Sequence, residues 1–343
     1  MKINEHMLKQ VANTIRALSM DAIEAANSGH PGLPLGCAEI MAYLYGHELR
    51  YNANDSQWIN RDRFILSAGH GSMALYSSLH LAGFDIDLDD IKSFRQLHAK
   101  TAGHPEYGEA DGVETTTGPL GQGVATAAGM ALGMKKLSKT FNQSNASLFD
   151  GNVFVLAGDG CMMEGVTSEA SSLAGHLNLD NLILIYDSND ICLDGPVDEC
   201  MSENTKLRYE SYGWFVQTID GHSFKMLKKA IDAAKAATQP SLIIAKTVIG
   251  KGSPGLQGTS EIHGKAMGEA EVLKTKKALK FESDQPFYVP QNVRYFFEAH
   301  AIKQKKQYLE WQEAFHQWRG KYRDEANLFD SYQSPVNKQH LHQ

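Results

Sequence analysis

Short segments rich in apolar residues alternate with helical patterns along most of the chain. Four of these segments have the length and composition of buried strands, and they lie at 63–67, 153–157, 182–186 and 241–245. Buried strands that alternate with helices are typical of a parallel sheet covered on both faces. The pattern therefore predicts an α/β fold, a three-layer sandwich around a mainly parallel central sheet.

Helical periodicity fills much of the sequence between these strands. Residues 4–26 predict an amphipathic helix that ends at the breaker cluster 27–32, Asn-Ser-Gly-His-Pro-Gly. Further helices are predicted at 36–48, at 124–134 and at about 168–177. The helix at 124–134 is rich in Gly and Ala, so it permits close backbone approach by a neighbouring helix or a ligand.

From about residue 270 the chain becomes rich in Lys, Glu and Gln. Aromatic residues with 3-4-3-4 spacing then mark one face of a long helix over 291–325, and they are Tyr308, Trp311, Phe315, Trp318 and Tyr322. This face either packs on its own domain or contacts another subunit. We predict an α/β domain over 1–270 and a helical extension over 271–343 that ends in a polar tail at 334–343.

Composition and charge narrow the classes of partner. The chain has 343 residues and a net charge of −7, without a basic stripe, so nucleic acid is an unfavoured partner. No apolar run approaches the ~18 residues of a membrane span, and the N-terminus lacks an apolar signal core. The four cysteines form no CxxC pair, which favours a reduced, cytoplasmic protein.

Polar residues follow three of the predicted strands. His70 follows the first, Asp159 the second and Asn189 the third. Ligands of an open parallel sheet bind outside the carboxyl ends of its strands, so these side chains should meet at one edge. Asp159 and Asn189 are 30 residues apart, the length of a strand–helix–strand crossover. A carboxylate, an amide oxygen and a backbone carbonyl suit Mg²⁺ or Ca²⁺ and leave positions for phosphate oxygens.

Gly158-Asp159-Gly160 alone is a weak signal, since it also suits an ordinary turn. Together with the strand-end Asn189 it resembles the thiamine-diphosphate motif. Several further segments are similar to transketolase segments in transketolase order: 28–32, 67–73, 103–106, 112–123, 158–165, 246–250 and 262–264. On these motifs, which extend over about residues 5–325, the chain resembles the N-terminal, diphosphate-binding domain of the transketolase family.

The resemblance implies thiamine diphosphate and Mg²⁺ as cofactors, with Ca²⁺ able to replace Mg²⁺. It implies Asp159, Asn189 and the carbonyl of Ile191 as metal ligands. The residues that it implies for the cofactor are His70, Gly118, Leu120, Gly158, Asp159, Asn189 and His263. Within this set the resemblance assigns the two histidines to the diphosphate and the site, Gly158 to a backbone contact, and Gly118 and Leu120 to the aminopyrimidine.

Catalytic roles are likewise implied for histidines. His30, His104 and His263 are expected to line the hydroxyls of the donor sugar, where a neutral imidazole can accept a proton. Glu164 and Glu169 are implied as supporting carboxylates near a subunit boundary. The resemblance thus predicts transfer of a two-carbon ketol unit between ketose and aldose phosphates, as in the pentose phosphate pathway.

Part of a transketolase is missing from this chain. The resemblance implies a complete enzyme with two α/β domains and a small third domain. The second domain would supply a glutamate that contacts the aminopyrimidine. The region after residue 270 is too short for another α/β domain of ~150 residues. We therefore expect either one half of a two-subunit enzyme or an incomplete product. A natural split would assemble as two copies of each half, so the expected partners are a separate C-terminal, pyrimidine-binding subunit and a second copy of this chain.

Three other functions are alternatives to this one. A close enzymatic alternative is a ketol transferase of the same family with another acceptor, such as formaldehyde. The missing half largely recognises the acceptor, so this sequence discriminates poorly between the two. A non-enzymatic alternative is an orphan cofactor-binding half without activity of its own. A nicotinamide-binding Rossmann domain is disfavoured, since Gly118, Gly121 and Gly123 lack the GxGxxG spacing.

Overall fold

The computed structural model of the chain describes residues 3–144, 147–193 and 195–333. The polar tail predicted for 334–343 lies outside the described residues. No helix in the described ranges combines the length and the apolar character that crossing a membrane requires.

A parallel sheet forms the centre of the fold. Its strands, in chain order, are β1 (Arg63–Leu66), β2 (Val153–Gly158), β3 (Leu182–Ser188), β4 (Phe215–Asp220) and β5 (Ser241–Lys246). They are arranged in space as β1-β2-β3-β5-β4, and every neighbouring pair is parallel. Every residue of β2 and β3 is buried, as expected of central strands with helices on both faces. The predicted α/β class with a parallel central sheet is confirmed.

Helices cover both faces of this sheet. They are α1 (Glu5–Ala26), α2 (Gly32–Gly36), α3 (Ala38–Tyr43), α4 (Ser72–Ala82), α5 (Leu88–Lys92), α6 (Gln122–Phe141), α7 (Asp159–Met163), α8 (Gly165–His176), α9 (Thr205–Ser211), α10 (Phe224–Ala236), α11 (Glu269–Ala278), α12 (Gln291–Lys321) and α13 (Arg323–Gln333). Helix α6 packs on β1, β2 and β3, while α10 packs on β3, β4 and β5. The result is the predicted three-layer sandwich.

Capping residues define both ends of the first helix, α1. The side chain of Asn4 caps α1 by accepting a hydrogen bond from the Met7 amide at 3.2 Å, and Asn27 ends the helix in the left-handed conformation with φ 45°.

The predicted helix over 36–48 is in fact divided: α3 is followed by a π-helical turn at Leu44–Glu48.

The edge strand β4 was not predicted. Its sequence, Phe-Val-Gln-Thr-Ile-Asp, mixes apolar and polar residues, and only Ile219 is buried. An edge strand has one covered side and one open side, so it lacks the continuous apolar run that identified its neighbours.

The aromatic face of the C-terminal helix packs on its own chain. Trp318 contacts the ring of Phe141, at the end of α6, with centroids 6.1 Å apart. Phe329 of α13 adds a further ring 5.4 Å from Phe141. The structure therefore agrees with the interpretation that this face packs on its own domain. The expected single helix over 291–325 is interrupted at Tyr322, where α12 ends and α13 begins.

The division of the chain at residue 270 stays a prediction. Val293 and Phe297 of α12 belong to the same apolar core as the sheet. Lys276 of α11 forms a buried ion pair with Asp21 of α1, with Nζ and Oδ1 2.7 Å apart. The first part of the extension is therefore packed tightly on the α/β domain.

Phe141→Ala should lower the free energy of unfolding by about 3–5 kcal/mol, because Phe141 is fully buried among the rings that hold α12 and α13. Urea denaturation followed by circular dichroism measures this loss. The matched control is Leu309→Ala on α12, whose side chain is 50% exposed, and it should change the stability by less than about 0.5 kcal/mol. Equal losses in the two variants would contradict the assigned packing.

Candidate functional site

A cavity of about 230 Å³ opens at the carboxyl ends of β1, β2 and β3. The structure brings most of the predicted site residues to its wall, namely His30, His70, Gly118, Leu120, Gly158, Asp159, Asn189, Ile191 and His263. These residues come from widely separated parts of the chain. Their convergence follows from the parallel sheet, which places all its strand ends at one edge.

Asp159 is a buried acid at the floor of this cavity. It directly follows β2 as the first residue of α7, and its side chain is almost completely buried. Its Oδ1 accepts a hydrogen bond from the Tyr186 hydroxyl at 2.5 Å, whereas Oδ2 has no hydrogen-bond partner among the described residues. Burial raises the pKa of Asp159 to about 7. A buried carboxylate oxygen without a donor is where a cation would be favourable.

Asn189 follows β3 and is held in a fixed orientation. Its Nδ2 donates to Oδ2 of Asp187 at 2.8 Å, which assigns the amide nitrogen and leaves Oδ1 as the acceptor. That Oδ1 accepts from the Ile191 amide at 3.0 Å. Asp187 is itself buried and also accepts a hydrogen bond from Thr247. The motif did not single out Asp187, because a strand-terminal Asp carries no spacing signal of its own.

The three residues predicted as metal ligands, Asp159, Asn189 and Ile191, line the same cavity, and their role as ligands stays a prediction. Within the described residues, no group of three or more His, Cys, Asp or Glu side chains is arranged to hold a metal ion. Asp159 instead stands beside an amide oxygen and the backbone of Ile191. A set with a single carboxylate suits a metal that also binds ligand oxygens.

Four histidines form a second cluster above these oxygens. The ring centroids of His30 and His70 are 5.2 Å apart, and those of His30 and His263 are 5.9 Å apart. His70 and His263 stack with centroids 5.0 Å apart, and His104 lies 6.3 Å from His30. All four come from irregular segments or short turns, which explains how distant parts of the chain supply one cluster.

Burial keeps three of these four imidazoles, those of His30, His70 and His104, neutral near pH 7. It lowers the pKa of His70 to about 3 and that of His30 to about 4. It also lowers the pKa of His104, and the nearby Arg95 guanidinium lowers it further. Nη2 of Arg95 lies 3.4 Å from Nδ1 of His30, and Nη1 donates to the Ser28 hydroxyl at 3.0 Å. Sequence reasoning missed Arg95, because its approach to the cluster depends on loop packing.

Glycine permits a close crossing of two backbones beside the cluster. A Cβ on Gly69 would lie 2.7 Å from the backbone nitrogen of Gly118. Gly118 itself has φ 147°, and a Cβ there would lie 3.2 Å from the ring of His104. Leu120 continues this wall, since a Cβ on Gly160 would lie 2.7 Å from its Cδ1. The two backbones can therefore cross this closely only with glycine at positions 69 and 118.

Hydrogen bonds of His222 hold in place the segment that carries Ile249, a residue of the cavity wall. The Val248 amide donates to Nε2 of His222 at 3.0 Å, so Nδ1 carries the proton and donates to Glu39 at 3.1 Å. Burial opposes the ionised form of Glu39, but Arg16 and His222 outweigh it and lower its pKa to about 2. His222 thus ties the segment that carries Ile249 to α3.

Glu164 and Glu169 lie apart from the cavity. Glu164 stands between α7 and α8, Glu169 lies on α8, and both are exposed in this chain. Their expected role at a subunit boundary stays a prediction.

Solved structures of transketolases share this fold. The transketolase from Leishmania mexicana is similar with a TM-score of 0.92 at 39% identity, over 94% of this chain and 49% of that one. The transketolase from Campylobacter jejuni has a TM-score of 0.87 at 45% identity, over 92% of this chain and 49% of that one. Fold and site together define an α/β domain of the transketolase class.

Sequence comparison gives the family. The chain belongs to the family described as transketolase, thiamine diphosphate binding domain, whose model matches residues 7–335. Transketolase from Physarum polycephalum is 49% identical over 334 residues, and transketolase 1 from Escherichia coli is 46% identical over 323 residues. These matches cover 96% and 94% of this chain, and 50% and 48% of the relatives. The chain thus spans about half the length of the curated relatives it matches.

The histidine cluster should make stability fall in acid. An unfolded histidine binds a proton below pH ~6.5, whereas His70 in the folded chain resists protonation until about pH 3. The free energy of unfolding should therefore decrease as pH falls from about 6.5 to 4. In His70→Asn the decrease should be shallower by roughly 1 kcal/mol per pH unit. Chemical denaturation across this range measures it, and an unchanged slope would contradict the buried neutral imidazole.

Asp159→Asn should stabilise the chain in the absence of added metal and cofactor, because it removes a buried charge with an unpaired oxygen. The gain should be about 1–3 kcal/mol at pH 8, and it should shrink as pH falls from about 7 towards 4, where Asp159 becomes protonated in both states. Thermal or urea denaturation measures it. The control Asp111→Asn, at an exposed position, should change little, and a loss of stability in Asp159→Asn would refute the account.

Proposed function

We propose that this chain is the cofactor-binding half of a transketolase and takes part in transferring a two-carbon ketol unit between sugar phosphates. The observation that carries the proposal is the convergence of the predicted cofactor residues on one cavity at the carboxyl edge of the sheet. Membership of the thiamine-diphosphate-binding family supports the same assignment.

Magnesium fits the oxygen atoms at the cavity floor. The proposed ligands are Asp159, Asn189 and the backbone carbonyl of Ile191. The unpaired Oδ2 of Asp159 supports this choice, since a divalent cation there would compensate the buried charge. A site with one carboxylate leaves coordination positions for the diphosphate oxygens, and Ca²⁺ could replace Mg²⁺ because both prefer oxygen.

The remaining wall residues fit the rest of thiamine diphosphate. When bound, the cofactor supplies the chemistry that breaks and re-forms the carbon–carbon bond next to the ketose carbonyl. His70, His263 and the backbone of Gly158 would contact the diphosphate end. Gly118 and Leu120 would hold the aminopyrimidine, because the glycine lets the backbone come close and the leucine offers an apolar contact.

His30, His104 and His263 would handle the sugar. We propose that they bind the hydroxyls of the donor ketose and accept a proton from one of them. The lowered pKa of His30, about 4, and the lowered pKa of His104 support this role, because a base must be unprotonated near neutral pH. Arg95, beside His30, favours the same neutral state by repelling a second positive charge.

The chain spans about half the length of its relatives. We propose a C-terminal, pyrimidine-binding subunit as the partner that supplies the glutamate for the aminopyrimidine and most sugar-phosphate contacts. Self-association would place two such sites in one assembly, with Glu164 and Glu169 near the boundary. The free cysteines support a cytoplasmic location.

The purified chain should show no ketol transfer by itself with thiamine diphosphate, Mg²⁺ and a ketose-phosphate/aldose-phosphate pair. Adding the separately expressed C-terminal part of a transketolase relative should produce turnover, because it supplies the missing glutamate. A coupled assay for the aldose-phosphate product measures the rate. The same mixture made with Asp159→Asn should be inactive, and one made with Asp111→Asn should be active.

Turnover by the chain alone would refute the need for a partner. Failure of every mixture, together with tight binding of the cofactor by calorimetry, would favour the alternative of a cofactor-binding half without catalytic activity. Failure to bind thiamine diphosphate in the presence of Mg²⁺, whether alone or in the mixture, would overturn the proposed function itself.

A further inference from the structure

One wall of the cofactor cavity comes from the wall segment, the four residues 247–250 that follow β5. Ile249 of this segment lines the cavity and is buried. The Thr247 hydroxyl donates to Asp187, whose Oδ2 in turn accepts from Nδ2 of Asn189 at 2.8 Å. The segment therefore contacts both the interior of the cavity and the residue that orients a proposed metal ligand.

The wall segment lies in close contact with α2. The Gly250 amide donates to the Gly32 carbonyl at 2.9 Å. A Cβ on Gly32 would lie 2.7 Å from Cγ1 of Ile249, and a Cβ on Gly36 would lie 3.1 Å from the Val248 carbonyl oxygen. Because the two backbones pack this closely, a displacement of the wall segment changes the shape of the cavity beside α2.

His222 holds the middle of the wall segment from outside the cavity. It follows β4 by two positions, and a Cβ on the preceding residue, Gly221, would lie 2.7 Å from Cγ2 of Thr247. Nε2 of His222 accepts a hydrogen bond from the Val248 amide at 3.0 Å. The Val248 side chain is 40% exposed, so its apolar contacts hold the backbone only in part. The hydrogen bond to His222 therefore helps to fix the backbone directly before Ile249.

A buried ion pair holds the His222 ring in the tautomer that this hydrogen bond requires. Nδ1 donates to Oε2 of Glu39 at 3.1 Å. The same oxygen lies 2.6 Å from Nη2 of Arg16, and both charged side chains are buried. Nε of Arg16 donates in turn to the Leu35 carbonyl at 2.9 Å. A carboxylate that accepts the Nδ1 proton leaves Nε2 unprotonated, which is the state that can accept from an amide.

We propose that His222 is a positioning residue for the cofactor, although it lies outside the cavity wall. Its hydrogen bond to the wall segment sets the position of Ile249. At the start of the same segment it supports the hydrogen bond from Thr247 to Asp187, which orients Asn189. The effect on cofactor binding rests on the proposed function, whereas the anchoring of the wall segment does not.

Two variants separate the hydrogen bonds of His222. In His222→Gln the amide oxygen reaches about as far as Nε2, so it can accept from Val248, but the donor to Glu39 is lost. In His222→Asn the amide nitrogen takes the place of Nδ1, so the donor to Glu39 is kept and the acceptor for Val248 is lost. The matched control is His176→Asn, at an exposed position of α8.

Amide hydrogen exchange in the chain without cofactor tests the anchoring of the wall segment. The Val248 amide, followed by NMR, should exchange about five- to tenfold faster in His222→Asn, as expected from the loss of one hydrogen bond. It should stay within about twofold of the wild-type rate in His222→Gln and in the control. An unchanged rate in His222→Asn, or equal acceleration in the two His222 variants, would overturn the proposal.

Calorimetry of thiamine diphosphate binding in the presence of Mg²⁺ tests the link to the cofactor. The affinity should fall about tenfold in His222→Asn, because the wall and the Asn189 orientation both lose support. It should stay within about twofold of wild type in His222→Gln and His176→Asn. A loss in His222→Gln as large as that in His222→Asn would assign the effect to the Glu39 side of the ring and refute the positioning role. Unchanged affinity in His222→Asn would refute it as well.

Absence of cofactor binding by the wild-type chain, both alone and with the C-terminal part of a relative, would contradict the proposed function. The exchange rate of the Val248 amide is measured without cofactor, so it would still decide whether His222 anchors the wall segment.

Discussion

A single buried carboxylate organises the functional edge of this protein. Asp159 follows the central strand β2, in the sheet interior, and one of its oxygens has no hydrogen-bond partner among the described residues. Burying a charge in this way costs stability unless an opposite charge compensates it. The strands β2 and β3 beside Asp159 are buried throughout. This unfavourable group therefore makes physical sense as one half of an interaction that a bound cation would complete.

The parallel sheet is what makes such a site available. The carboxyl ends of all the strands lie at the same edge of the sheet. The loops after β1, β2 and β3 therefore lie close together, although they are far apart in the sequence. The loop after β1 carries His70, and the loop after β3 carries Asn189. His30 and His263, from two further segments, complete the wall, and His104 lies beside His30. Burial lowers the pKa of His30 and that of His70, so both imidazoles are neutral near pH 7.

Sequence alone predicted the central strands and the residues at their ends, because continuous apolar runs and strand-end polar residues are local signals. It did not predict β4, whose half-exposed edge position removes that signal. It also missed Arg95 and Asp187. Arg95 acts through a contact across the fold, 3.4 Å from His30, which no motif spacing records. Asp187 acts through a local hydrogen bond of 2.8 Å from Asn189, and the motif contains no separate signal for it. The break at Tyr322 depends on packing of α13 and was equally invisible.

The most direct test of the central claim is to locate the cation. Crystals grown with thiamine diphosphate and Mn²⁺, a divalent ion that suits the same oxygen ligands, would show the metal by its anomalous scattering. The account predicts one strong peak at the carboxyl edge of the sheet, bonded to Oδ2 of Asp159, Oδ1 of Asn189 and the carbonyl oxygen of Ile191. A bound cofactor with no metal in contact with Asp159, or with Mn²⁺ at another site, would contradict it.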